Sequence, residues 1–204
     1  GVTLLDSTPD ADRKLLAALL YRVSNTSFEV CRRKVKVMTD KERLKLVKIA
    51  FERAELYDAM LREFEHVVLT YELVCSASCF AQLKRHRMAT LTCQRYDPGL
   101  GATVPPSIEA IGEMSAFQEN IARTNDIFYN LKKDIGQAAE YVLTNAHRRR
   151  ALLRINAREL YHISRLREDQ TAQWDIRQLA RCLADQAKKA MPLTCLLLGG
   201  KDAY

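Results

Sequence analysis

The sequence predicts one α+β domain over residues 1–204 in which helices outweigh strands. Three observations lead there. Hydrophobic residues make up 48% of the chain while Gly and Pro number only 7 and 5, which suits a buried core and regular structure. Apolar residues recur at helical spacing through several segments, whereas strand-period alternation is confined to short ones. No repeat, low-complexity tract or linker divides the chain.

Val2 to Asp6 reads as a short strand. Thr8 is placed to cap the next helix, because Pro9 at the first helical position loses no needed N–H. Leu15, Leu16, Leu19, Leu20 and Val23 then follow at helical spacing. Thr39-Asp40-Lys41-Glu42 has the form of a capping box, and Leu44, Val47, Phe51 and Ala54 continue on one face. Between Val67 and Val74 the pattern turns to a strand, with Val67, Leu69, Tyr71 and Leu73 on one side. A helix from Ser76 to about Arg87 comes next, then a loop at Asp97-Pro98-Gly99-Leu100-Gly101.

After Pro105-Pro106-Ser107, the residues Ile108, Ile111, Met114, Phe117, Ile121, Phe128 and Leu131 predict a long helix with one apolar stripe. Such a stripe packs in the core or against a partner subunit. Further helix is expected over Ala138 to Leu143, Arg158 to Leu166 and Ala172 to Ala190, the last stopped by Pro192.

No apolar run approaches the ~20 residues of a membrane span. The start lacks the basic region and long apolar stretch of a signal peptide, so a cytoplasmic location is the default expectation. The six cysteines show no paired spacing typical of zinc, and no metal site is expected. A net charge of +7 favours anionic partners without choosing among nucleotide, nucleic acid and acidic protein.

The strongest chemical signal is Gln82-Leu83-Lys84-Arg85-His86-Arg87, followed by Arg95-Tyr96. Arg offers a rigid fork of donors suited to phosphate oxygens, and His adds a donor whose charge changes near neutral pH. The triplet therefore suits a phosphate or pyrophosphate, although a chance cluster among 32 Lys and Arg is the alternative.

Three segments together resemble the flavin-dependent thymidylate synthase family. They are Phe64-Glu65-His66 running into the Gln82-x-x-Arg85-His86-Arg87 helix, then Arg95-Tyr96, and then Asn156-Ala157-Arg158-Glu159-Leu160 with Leu166-Arg167 and Ala172-Gln173-Trp174. Val2 to Asp6 and Arg22-Val23-Ser24 are similar to the family's first strand and helix. The resemblance implies a helix-rich domain with a small, mainly antiparallel sheet, assembled as a homotetramer. It implies reductive methylation of dUMP to dTMP with FAD as cofactor, methylenetetrahydrofolate as carbon donor and NADPH as hydride source. On it, Arg85, His86, Arg87, Ser24, Asn156 and Arg167 are cofactor contacts, and Gln82 and Arg95 fall where the family meets the nucleotide.

The chain also departs from that pattern. The segment between Arg87 and Arg95 is shorter than the family signature, with Thr92 or Cys93 near its Ser position. Cys93 is thus either a nucleophile toward a pyrimidine, with its thiol activated beside Arg, or a tolerated small residue, and the second is preferred. Arg167 is the other candidate for catalysis. Ala59-Met60-Leu61-Arg62-Glu63 replaces the family's Gly-His-x-Thr-Pro run, and His162 replaces an Asn found in some relatives. Glu140 falls at the position of a nucleotide-binding Arg, while Arg148, Arg149 and Arg150, two turns on, either substitute for that Arg or form a solvated basic stretch. An anion beside a phosphate repels it. Two functions therefore stand: an active thymidylate synthase, or a catalytically impaired flavin- or nucleotide-binding subunit. A nucleic-acid-binding module ranks last, because the basic residues lack interleaved aromatics.

Overall fold

Strand β2, Val68–Ser76, runs through the middle of the molecule and follows the expected alternation. Leu69, Tyr71 and Leu73 are fully buried, whereas Val68, Thr70, Glu72 and Val74 face the other side, half-buried. The chain is described from a computed structural model covering residues 1–55 and 58–200. Among these residues a four-stranded antiparallel sheet forms in the order β1-β2-β4-β3, with β1 at Val2–Ser7, β3 at Thr90–Cys93 and β4 at Arg148–Asn156. The β1–β2 register shifts between Leu4 and Asp6.

Eight α-helices lie among the described residues, of which the fourth, seventh and eighth pack directly on the strands. They are α1 (Ala11–Arg22), α2 (Phe28–Val37), α3 (Asp40–Ala50), α4 (Ala77–Leu83), α5 (Pro106–Ala110), α6 (Met114–Ile135), α7 (Ala157–Arg167) and α8 (Trp174–Ala190). Helix α8 carries the most regular stripe: Ile176, Leu179, Ala180, Leu183, Ala184 and Ala187 are all buried. It is tied to the sheet by Tyr71 Oη, which donates to Leu183 O at 3.1 Å, and by Gln186 Nε2, which donates to Val2 O at 2.7 Å. The core closes where Asp12 accepts from Leu193 N at 3.1 Å and Thr194 N at 2.7 Å.

Several local expectations hold and others do not. The Thr39–Glu42 capping box is formed, with Thr39 N donating to Glu42 Oε2 at 2.7 Å. Helix α3 stops at Ala50, so Ala54 lies beyond it. Thr8 does not cap α1. Its hydroxyl accepts from Val68 N at 2.9 Å, extending the sheet, and α1 begins after Asp10 in a left-handed conformation, φ 50°. Tertiary pairing with β2 competed for that hydroxyl and won.

Helix α2 lay outside the expected set; Ser27 caps it, accepting from Val30 N at 3.4 Å. The long helix after Pro105 is broken. Gly112 at φ +77° separates α5 from α6, a conformation that L side chains rarely adopt. Gly136–Val142 is a 3-10 helix.

The largest difference concerns Arg148, Arg149 and Arg150. They open β4, which sits between β2 and β3, and all three are half-buried. Arg150 Nη1 donates to Glu72 Oε1 at 2.7 Å, while the Arg149 guanidinium lies between the Phe80 and Tyr96 rings at 4.5 and 4.6 Å. Cross-strand partners absorb charges that local sequence offers only to water.

The other face of the sheet is open in this single chain. Leu152 is 42% exposed there, and α6 leaves Ile127, Tyr129 and Ile135 exposed, with Phe128 the only buried residue of that helix. Among the described residues no helix is long and apolar enough to cross a membrane.

Candidate functional site

Local sequence sets the arginine triplet apart from the helix it was expected to end. Ser76 caps α4, accepting from Cys79 N at 3.0 Å, and the helix finishes at Leu83. Two tight turns follow, Arg85 N to Gln82 O at 3.3 Å and His86 N to Leu83 O at 3.0 Å. They point His86 into the protein, 5% exposed, and leave Arg85 and Arg87 on the surface. The three residues have separate roles in the fold.

His86 is held from two sides by α7. Its Nδ1 lies 3.1 Å from Glu159 Oε1, and Glu159 is itself buried. Arg167 Nε donates to His86 Nε2 at 3.0 Å, and the same guanidinium reaches the side-chain and main-chain oxygens of Gln82, each at 3.4 Å. A guanidinium N–H can only donate, so Nε2 is the acceptor and the ring hydrogen sits on Nδ1, aimed at the carboxylate. Asn156 caps α7 by accepting from Glu159 N at 2.8 Å, which fixes the turn that carries Glu159. Burial and the nearby Arg85 charge lower the pKa of Arg167 from its ordinary value, yet a guanidinium keeps its proton.

A cavity of about 880 Å³ opens beside this cluster. Glu159 and His162 form part of its wall, and the His162 ring packs edge-on to His86 with centroids 5.6 Å apart. Phe51, Met60 and Leu197 supply apolar surface, and Arg158 and Arg165 bring charge. The Arg158 side chain donates to Met60 O at 2.7 Å and to Glu65 Oε1 at 3.0 Å. The size lies in the range of small-molecule and cofactor sites, roughly 300–1,000 Å³.

The donor set suits an anionic, largely planar cofactor such as a flavin nucleotide. Among the described residues the side chains of Arg85 and Arg87 make no hydrogen bond or ion pair, so both guanidinium forks are available to phosphate oxygens. The side-chain NH2 of Asn156 is likewise without a partner among them. No group of three or more His, Cys, Asp or Glu among the described residues is placed to hold a metal ion.

The structure thus brings Gln82, His86, Asn156 and Arg167 together, with Arg85 beside them. Arg95 belongs to a different set of contacts: it pairs with Glu140 at 3.4 Å, next to the Tyr96–Arg149 stack. Ser24 lies exposed in the turn after α1, 3.6 Å from Cys31 Sγ, and joins none of these bonds. Cys93 ends strand β3, where burial pushes its thiol above the ordinary value despite the opposing Arg149 charge. A raised thiol is a poorer nucleophile at neutral pH, which favours the tolerated-residue reading.

Glu159 was missed as a functional residue, although its spacing carried a signal. It stands eight residues before Arg167 on one helix, so two polar groups share a face otherwise next to buried Leu160 and Ile163. The cavity had no sequence signal, because its walls come from α3, the segment that follows it as far as Met60, α7 and the segment after Pro192.

Comparison with known proteins identifies the family. A family model described as thymidylate synthase complementing protein matches residues 3–193. The flavin-dependent thymidylate synthase of Pyrococcus abyssi is 32% identical over 149 residues, covering 67% of this chain and 61% of that protein. That of Sulfolobus acidocaldarius is 32% identical over 136 residues, 63% of this chain and 52% of that protein. A protein of Chlamydia muridarum called UPF0159 protein is 24% identical over 195 residues, 94% of this chain but 36% of its own length. The chain therefore spans between about a third and three fifths of the length of these curated relatives.

Proposed function

Since the chain belongs to the thymidylate synthase complementing protein family, we propose that it binds FAD and carries out flavin-dependent reductive methylation of dUMP to dTMP, with methylenetetrahydrofolate as carbon donor and NADPH as hydride source. One observation carries the reading: the His86–Glu159–Arg167 network reaches the wall of an 880 Å³ cavity through Glu159, and the neighbouring Arg85 and Arg87 have exposed side chains without a hydrogen bond or ion pair among the described residues.

When bound, a flavin carries the hydride. The chain's own residues supply position and charge. Arg85 and Arg87 would hold phosphate oxygens, and the Asn156 amide and Arg167 would face the cofactor side. Gln82 and Arg95 would meet the nucleotide. Phe51, Met60 and Leu197 would offer apolar surface to a ring bound in the cavity they line. The exposed apolar residues of α6 and Leu152 on the open sheet face support assembly of several copies, with a homotetramer as the proposed state.

A second reading has its own support. Glu140 already occupies Arg95 through an ion pair at 3.4 Å, which favours a catalytically impaired, flavin-binding member of the family. Tritium release from dUMP labelled at the pyrimidine C5 separates the two. Release that depends on NADPH and methylenetetrahydrofolate establishes turnover. A yellow protein with flavin absorbance and no release establishes the second reading, and a colourless protein without flavin affinity refutes both.

A further inference from the structure

We propose that Glu159 is a positioning residue: it fixes the tautomer of His86 and through it aims the Arg167 guanidinium. The inference rests on the reading of Arg167 as a cofactor-side residue for its functional consequence, though not for its structural part.

The geometry is a chain of directed bonds across long sequence separations. Glu159 Oε1 and His86 Nδ1 are 3.1 Å apart across 73 residues, and Arg167 Nε reaches His86 Nε2 at 3.0 Å across 81. A carboxylate accepts only, and a guanidinium donates only. With one acceptor and one donor on opposite edges, the imidazole has a single hydrogen-bonded arrangement, with its hydrogen on Nδ1. Moving the hydrogen to Nε2 sets two N–H groups against each other at Arg167, and flipping the ring puts carbon atoms where both nitrogens were, losing both bonds. Both His86 and Glu159 are buried, at 5% and 8% exposure, so water offers them little alternative.

Arg167 needs this support. It leans on Gln82 through two bonds of 3.4 Å, long for N–H donors, and feels the repulsion of Arg85. Its bond to His86, at 3.0 Å, is the shortest that its side chain makes among the described residues. A long side chain held by one good bond keeps one rotamer only while the acceptor stays an acceptor. That makes the Glu159 carboxylate, acting through His86, responsible for the direction of the Arg167 guanidinium.

The tautomer is directly measurable. The chain contains four histidines, and His147 provides an internal contrast. Its Nδ1 accepts from Thr144 N at 3.0 Å while Nε2 faces Asn125 Oδ1 at 2.9 Å, which puts its hydrogen on Nε2. The test is a long-range proton–nitrogen correlation spectrum of the full chain labelled with 15N-histidine, recorded at pH 8, above the ordinary imidazole value of about 6.5. His86 should show a protonated Nδ1 and a bare Nε2, the reverse of His147. A His86 with its hydrogen on Nε2 overturns the proposal whether or not the protein binds flavin.

The Glu159→Gln variant gives the functional half. Its amide can donate as well as accept, so the carboxylate's constraint is relaxed and His86 should shift toward mixed Nδ1 and Nε2 protonation while His147 does not; an unshifted His86 pattern refutes the claim that Glu159 fixes the tautomer. FAD affinity, read by flavin fluorescence, should fall roughly tenfold, the worth of one oriented bond to a charged group. His86→Gln, whose amide oxygen can still accept from Arg167, should retain more affinity than His86→Leu. Unchanged FAD affinity in Glu159→Gln with an altered tautomer refutes the positioning role. If wild-type protein shows the stated tautomers but no affinity for FAD, the functional reading fails and the structural assignment stands.

Discussion

Replacing Glu140 by Gln should tighten the binding of dUMP, and the size of the gain follows from the ion pair it breaks. Arg95 and Glu140 stand 3.4 Å apart, with side chains 61% and 27% exposed. Unit charges ~4 Å apart interact by about 1 kcal/mol in bulk water and about 4 kcal/mol at the effective dielectric of ~20 common near a protein surface. The exposure of Arg95 pulls the value toward the lower figure, and exposed pairs measured by mutation are worth about 0.2–1 kcal/mol. A nucleotide phosphate must break that pair and then tolerate a carboxylate beside it. Glu140→Gln removes both penalties with little change of shape, for a gain of about 1–2 kcal/mol, or about five- to thirtyfold in affinity. Isothermal titration of dUMP into the protein loaded with FAD reads this directly. The gain should shrink in high salt, because the pair is exposed. An unchanged or weaker isotherm refutes the idea that Glu140 opposes the phosphate at Arg95.

Cys93→Ser should leave dUMP-dependent tritium release essentially unchanged, since burial raises the thiol rather than activating it; loss by orders of magnitude would restore the nucleophile reading. Leu153, fully buried in β4, should cost about 2–5 kcal/mol when changed to Ala, read as a lower midpoint in urea with an unchanged slope. Burial lowers the pKa of His147 below its ordinary value. The unfolded chain then binds the extra proton first, so this contribution to stability is full above the unfolded value of about 6.5 and is lost as pH falls through the folded value. Urea midpoints between pH 7 and pH 5 should fall more steeply for wild type than for His147→Gln, and equal slopes would count against it.

Much of the fold could be read from neighbouring residues. The alternation from Val67 to Val74 and the Thr39–Glu42 capping box both formed as expected, because each depends on contacts within a strand or one helical turn. Strand β4 was hidden. Ala151, Leu153 and Ile155 are its buried side, but apolar Leu152 on the outer face and three consecutive arginines masked the period. Those arginines are accommodated by Glu72, Phe80 and Tyr96, which lie far away in sequence. The break at Gly112 was equally obscure, since apolar spacing continues across it.

The candidate site divides along the same line. By residue type and order alone, the sequence determined the family, the cationic triplet near the end of α4, and the Asn156–Arg167 segment on a helix. Tertiary structure decided that His86 turns inward to Glu159 and Arg167 while Arg85 and Arg87 remain outside, and that Arg95 meets Glu140 instead of that cluster. It also decided that a cavity lies between α3 and α7. The physical reason is reach. Caps and periodicity are settled by atoms a few residues apart, whereas the direction of a buried imidazole is settled by a carboxylate 73 residues away and a guanidinium 81 residues away.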